Sequence, residues 1–140
     1  DANQTTINYA RDSSLQFPEI SYEKQDVLSP DYPINKFDIA LCTLFLHHFE
    51  DKVALDFLKK TQNQTTIGLV INDLHRHSFA YFLFWIVATI IGNPIIKTDG
   101  LISILRGFKR KELEEYSAKL NFKSSLTWRW AFRYEWIIKK

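Results

Sequence analysis

Two largely apolar runs without polar alternation, Phe37-Asp38-Ile39-Ala40-Leu41-Cys42 and Thr66-Ile67-Gly68-Leu69-Val70-Ile71, flank a segment of helical period. A strand with one face in water alternates, whereas a parallel strand covered on both faces reads as a continuous apolar run. Between the runs, Glu50 and Asp51 open a helix, Val53, Phe57 and Leu58 give it a buried side, and Lys59-Lys60 close it. Both ends then complement the helix dipole. Strand, helix, strand is the repeating unit of a doubly wound α/β sheet, and its crossover is right-handed. The first run is expected to lie deep in that sheet, and the second to end at Asn72-Asp73.

The rest of the chain fits around this unit. From Thr5 to about Leu15, Ile7, Ala10 and Leu15 suit one helix face, with Asn3 or Thr5 as the cap and Pro18 closing the segment. Ile20-Ser21-Tyr22-Glu23-Lys24-Gln25-Asp26-Val27 alternates as an edge strand running into Asp26, before a Ser29-Pro30-Asp31 loop. Leu113, Tyr116 and Leu120 mark an amphipathic helix. Leu126, Trp128 and Trp130, then Phe132, Tyr134 and Trp136, alternate with almost no loop between them, which predicts a terminal antiparallel hairpin. Residues 79–91 are apolar nearly all round yet too short for a bilayer, which takes about 20 residues. They read as a helix inserted after the second strand, within an insertion spanning 75–108. Such a helix is either buried on all sides, a lid over an apolar acceptor site, or a dimer surface.

At 140 residues the chain is the size of one domain. Its net charge of +2 comes from intermixed acids and bases, without the basic stripe of a nucleic-acid binder. The lone Cys42 cannot form an intrachain disulfide, and no leader pattern is visible, so a reducing cytoplasm is expected. Methionine is absent, including an initiator, so chain preceding Asp1 is expected.

Ligands of open parallel sheets gather at the carboxyl ends of the strands. Asp1 before the first helix, Asp26-Val27, Cys42-Thr43 and Asn72-Asp73 all fall at such positions. Four histidines follow the strands: His47 and His48 after the first run, His75 and His77 after the second. Neither pair has the i, i+4 spacing of a helical zinc site, so no metal is assigned. The plainer readings are that Asp1 leads a helix, Asp26 forms a turn, His48 packs under the next helix and His77 caps one.

The order Asp1-Ala2-Asn3, Gln25-Asp26-Val27, Phe37-Asp38-Ile39-Ala40-Leu41-Cys42-Thr43, Leu46-His47-His48-Phe49 and the Trp-rich terminal hairpin resembles class I S-adenosylmethionine-dependent methyltransferases, particularly those akin to ubiquinone and menaquinone biosynthesis enzymes. The resemblance implies a Rossmann-like α/β sheet, mostly parallel, with a C-terminal antiparallel hairpin. It implies S-adenosylmethionine as cofactor, with Asp1 on the ribose hydroxyls, Ala2 beside the adenine, and Asp26 with Val27 at the adenine edge. Cys42, Thr43 and His47 would border its methionine portion. The first strands of that fold and their glycine-rich turn have no counterpart here. Methyl transfer to oxygen of a small apolar or aromatic acceptor is the activity expected, with His75 or His47 as base. His48, Phe82, Trp85 and Arg106 would contact the acceptor. The alternatives are a nicotinamide-dependent dehydrogenase, against which the terminal hairpin speaks, and a non-enzymatic binding or homodimerisation module.

Overall fold

In the computed structural model, which describes residues 2–29 and 37–140, the Asn3 side chain accepts from the backbone N–H groups of Thr5 and Thr6 and starts helix α1, Gln4–Ser13. Ile7 is its one buried residue, and Leu15, expected on the same face, is exposed. The helix belongs to the smaller of two units, Asp1–Asn35. The strand expected over 20–27 is absent. That segment has no ladder partner among the described residues, and it ends in a turn where Asp26 Oδ1 accepts from Leu28 N–H at 2.9 Å. Alternation assigns faces to a strand; only a neighbouring strand makes one.

The larger unit, Lys36–Lys140, carries a four-stranded sheet. Strand β1, Phe37–Thr43, pairs in parallel with β2, Thr65–Leu74, through the crossover helix α2, Asp51–Gln64. The final strands β3, Lys123–Arg129, and β4, Arg133–Lys139, form the expected antiparallel hairpin, and β4 pairs with β2 to give the order β1-β2-β4-β3. The hairpin turn puts Ala131 and Phe132 at φ 64° and 55°, left-handed values at two successive residues that are not glycine.

Register assigns the faces. Ala40, Cys42, Leu69, Ile71, Asp73, Tyr134, Trp136 and Ile138 share one face, where Ala54 and Leu58 of α2 and Leu113 and Tyr116 of α5, Arg110–Leu120, close the core. Complete burial of a leucine such as Leu58 or Leu69 stabilises by about 1.5–3 kcal/mol. Val53, expected on the buried side of α2, is outside that core, and α2 runs past Lys59-Lys60 to Gln64. The opposite sheet face is open, with Ile39, Leu41 and Ile67 exposed. Among the described residues β1 has one ladder partner and is covered on one side.

Between β2 and α5 the chain makes a helical hairpin, α3, Ser78–Ile91, and α4, Pro94–Arg106. Gly92 ends α3 in the left-handed region, and Asn93 caps α4 with Pro94 in its first turn, an arrangement set by residue type. At the base, Phe108 N–H donates to Leu74 carbonyl at 2.8 Å and Arg76 N–H to Phe108 carbonyl at 3.0 Å, so the excursion starts and ends at one pinned point. Only Ala80 and Ala88 of α3 are buried, which removes the reading of a helix buried on all sides.

Candidate active site

The turn after β1 is built around a buried carboxylate. Leu44 adopts φ 50° and donates its N–H to Asn72 carbonyl, which swings the following backbone over the end of β2. Asp73, 1% exposed, then receives five donors. Its Oδ2 accepts from Leu46 N–H at 2.8 Å and from Phe45 and His47 N–H at 3.3 Å. Its Oδ1 accepts from Leu74 N–H at 2.7 Å and lies 2.6 Å from His47 Nδ1. A carboxylate can only accept, so His47 carries a proton on Nδ1. In the neutral ring the lone pair then sits on Nε2, which is buried and has no hydrogen-bond partner among the described residues. The Oδ1 atom of Asn72, at the carboxyl end of β2, is likewise buried and without a partner among the described residues.

His48 stacks on His47 with ring centroids 4.2 Å apart, and α4 packs over the Leu46–His48 turn. Partial burial first, and the neighbouring His47 second, lower the His48 pKa, while Asp99 and Arg106 on α4 act on it with opposite signs. His48 is exposed and does not pack beneath α2; His47 is the buried member of the pair. Arg106 occupies the last turn of α4. Cys42 points into the core beside Ile71, and burial, reinforced by Asp73, pushes its thiol up to about 12. Only its backbone is available to the strand end, whereas Thr43 is exposed on the open face.

The second histidine pair divides its roles. His77 Nδ1 accepts from Phe79 N–H and caps α3. His75 Nδ1 accepts from Trp128 Nε1–H at 3.3 Å, which places the proton of the neutral ring on Nε2. Burial, then His77 and Lys109, lower the His75 pKa and favour that neutral ring. With its lone pair occupied, His75 is arranged as a donor and not as the base expected of it. It lines a cavity of about 790 Å3 between the helical hairpin and the β3–β4 turn. Phe79 and Phe84 reach this cavity from α3, but Phe82 and Trp85 do not. They lie on another face of α3, where Lys97 Nζ sits 5.1 Å from the Trp85 ring centroid.

In the smaller unit Ala2 is exposed, Asp26 forms the turn described above and Val27 follows within it. Asp1 lies outside the described residues. Sequence reasoning placed Asp73 only as a strand end and missed its role as the acceptor organising the turn. The available signal was an acid following an apolar strand with no solvent-facing alternation. Arg133 and the Trp128–Phe132 stretch as cavity wall were also missed, because alternation reports strand faces and not what a turn encloses.

No family model and no curated protein matches this chain. Solved structures do. A S-adenosylmethionine-dependent methyltransferase from Aquifex aeolicus superposes with a TM-score of 0.68 at 12% identity, over 99% of this chain and 65% of that one. The magnesium protoporphyrin IX methyltransferase of Synechocystis, solved with bound S-adenosylmethionine, gives 0.59 at 10% identity, over 100% and 57%. An O-methyltransferase family protein from Burkholderia thailandensis gives 0.63 at 8% identity, over 98% and 40%. The chain has the class I methyltransferase fold. It spans about 40–65% of the length of these methyltransferases. Within the class I fold, the Asp73–His47 pair stands at the carboxyl ends of two adjacent parallel strands, where ligands of such sheets bind. Among the described residues, no helix of this fold is long and apolar enough to cross a membrane.

Proposed function

We propose that the protein transfers a methyl group from S-adenosylmethionine to an oxygen of a small, apolar or aromatic acceptor, with His47 as general base. The observation that carries this is the unpartnered, buried Nε2 of a histidine whose Nδ1 proton is held by Asp73. Two orphaned polar atoms, His47 Nε2 and Asn72 Oδ1, near the ends of adjacent strands fit a ligand that brings hydrogen-bonding groups there. The cofactor supplies an electrophilic methyl group on a sulfonium.

Asp1 would hold the ribose hydroxyls and Asp26 with Val27 the adenine edge, with Ala2 beside the base. The exposed Thr43 and the backbone of Cys42 would border the methionine portion. His47 Nε2 would take the acceptor hydroxyl proton, and Asp73 would stabilise the resulting imidazolium. His48 and Arg106 are proposed at the acceptor's polar edge, and residues 75–108 as the segment that covers the site. Because α4 packs over the Leu46–His48 turn, displacement of this segment would admit the acceptor and its return would exclude water. Phe82 and Trp85, which do not reach the cavity, are not assigned to it. The setting is a reducing cytoplasm, where Cys42 stays a thiol.

Calorimetric titration of S-adenosylhomocysteine into the full-length protein tests the cofactor. Binding is expected, and Asp1→Ala should weaken it by about tenfold or more, as loss of a charged hydrogen bond does. No binding by the full-length protein would remove the methyltransferase reading. His47→Gln should leave this affinity in place and lower kcat by about 100-fold or more. A second reading, a homodimer through the helical hairpin, draws on the exposure of Ile90 at 80% and Ile95 at 77%. Sedimentation of wild type against Ile90→Asp separates it: an unchanged mass excludes that surface.

A further inference from the structure

The cavity between the helical hairpin and the β3–β4 turn has a chemical bias that the methyl-transfer reading does not require. Its walls are nearly all apolar, and they include Phe79 of α3, Trp128 of β3, and Trp130 and Phe132 of the turn. At about 790 Å3 it has the size of a small-molecule site. Much of this surface lies open: Trp130 is 88% exposed, Phe79 53% and Trp128 46%. Aromatic surface on this scale is covered in most folded proteins, by chain or by ligand.

The turn itself is held in an unfavourable geometry. The turn has three residues, Trp130 to Phe132, and Ala131 and Phe132 both have positive φ, a region that hairpin turns ordinarily give to Gly or Asn. What holds them is packing and a hydrogen bond. The Phe132 ring lies 5.1 Å from His77 and 6.0 Å from both Phe79 and Trp128, and its carbonyl accepts from His75 N–H at 2.9 Å. The strain is tied to the cavity wall, as backbone strain at binding sites commonly is.

The ionisable groups that line the cavity are donors. His75, with Nδ1 occupied by Trp128, offers Nε2–H. Arg133 also lines it, and its guanidinium has no hydrogen-bond or ion-pair partner among the described residues. Ser103 contributes a hydroxyl, and among the described residues no acid lines the space. Apolar aromatic walls with a guanidinium and an imidazole N–H select a flat ring system bearing an acidic oxygen.

We propose that this cavity binds an aromatic acid, its rings against Trp128, Trp130 and Phe132 and its carboxylate on Arg133 and His75. The identification of that acid as the methyl acceptor rests on the methyltransferase reading above. Its binding does not.

The test follows tryptophan fluorescence of the full-length protein during titration with 1-hydroxy-2-naphthoate and, separately, with its methyl ester, in the absence of any methyl donor. The acid should quench saturably and bind at least about tenfold tighter than the ester, as a charged hydrogen bond provides. Arg133→Gln should erase that preference while leaving ester affinity unchanged. Trp130→Ala, at an exposed side chain outside the core, should weaken both ligands several-fold without lowering thermal stability. Absence of saturable quenching by the acid, equal affinity for acid and ester, or a preference that survives Arg133→Gln overturns the proposal. Titration of S-adenosylhomocysteine in parallel separates the two readings. If the acid binds with the stated preference and S-adenosylhomocysteine does not, the cavity stands and its role in methyl transfer falls. If only S-adenosylhomocysteine binds, the cavity proposal falls alone.

Discussion

Replacing Asp73 by Asn removes one charge and changes almost no volume, which isolates what the carboxylate does. Five donors converge on its two oxygens, four backbone N–H groups and His47 Nδ1. An asparagine has one acceptor oxygen and an NH2 that itself donates, so one cluster of donors loses its acceptor. If the oxygen stays on the three N–H groups of 45–47, the amide faces Leu74 N–H and the protonated His47 Nδ1. His47 must then shift its proton to Nε2. If the amide is flipped, three backbone N–H groups are left unsatisfied.

Each lost charge-assisted bond is worth about 1.5–3 kcal/mol, and each buried group left unpaired costs about 1–3 kcal/mol. At 1% exposure no solvent compensates. Relief by tautomer exchange lowers the total, so about 3–5 kcal/mol is expected, against the roughly 5–15 kcal/mol that holds a typical domain together. Urea denaturation of full-length wild type and Asp73→Asn measures the loss, and imidazole 15N shifts report the tautomer of His47. A loss below about 1 kcal/mol, or an unchanged tautomer in a stable variant, would refute the argument that this carboxylate organises the turn and orients the base.

Three further outcomes follow from the same structure. Cys42→Val should flatten the alkaline limb of stability: the thiol is raised from 9.0 to about 12, so its contribution is complete below pH 9 and is lost as pH rises through 12. Thermal unfolding from pH 8 to 11 checks this, and identical slopes for wild type and variant would contradict it. His75→Gln should reduce the acid sensitivity of the cavity, because a lowered histidine pKa gives stability that is present above 6.5 and lost as pH falls below it; equal acid-limb slopes would reject that assignment. Gly100→Ala places a methyl group into the Phe84 ring across the α3–α4 contact, and a loss of about 1–3 kcal/mol by calorimetry is expected unless the ring moves freely aside.

Much of the architecture was legible because it follows from local chemistry. The apolar runs over 37–42 and 66–71, the helix between them and the alternating aromatic pairs of the terminal hairpin each carry their period in the chain, and all five elements formed. The cap of the first helix was equally local: Asn3 sits where its side chain is needed. The order of strand ends marked the region of interest, and His47 was among the residues singled out there.

What the chain alone left open depends on which segments meet. Among the described residues, alternation over 20–27 has no partner strand and the apolar run of β1 has one neighbour and one open face, because coverage belongs to neighbours and not to composition. Whether His47 or His48 is buried turns on the left-handed Leu44, which aims three N–H groups at an aspartate more than 25 residues away in sequence. The donor role of His75 depends on Trp128, separated by 53 positions. Residue types and periods therefore determined the elements and the end of the sheet where chemistry is expected. Proton positions, the cavity wall and the buried acceptor were decided only in three dimensions, since each is a relation between atoms that the chain brings together from far apart.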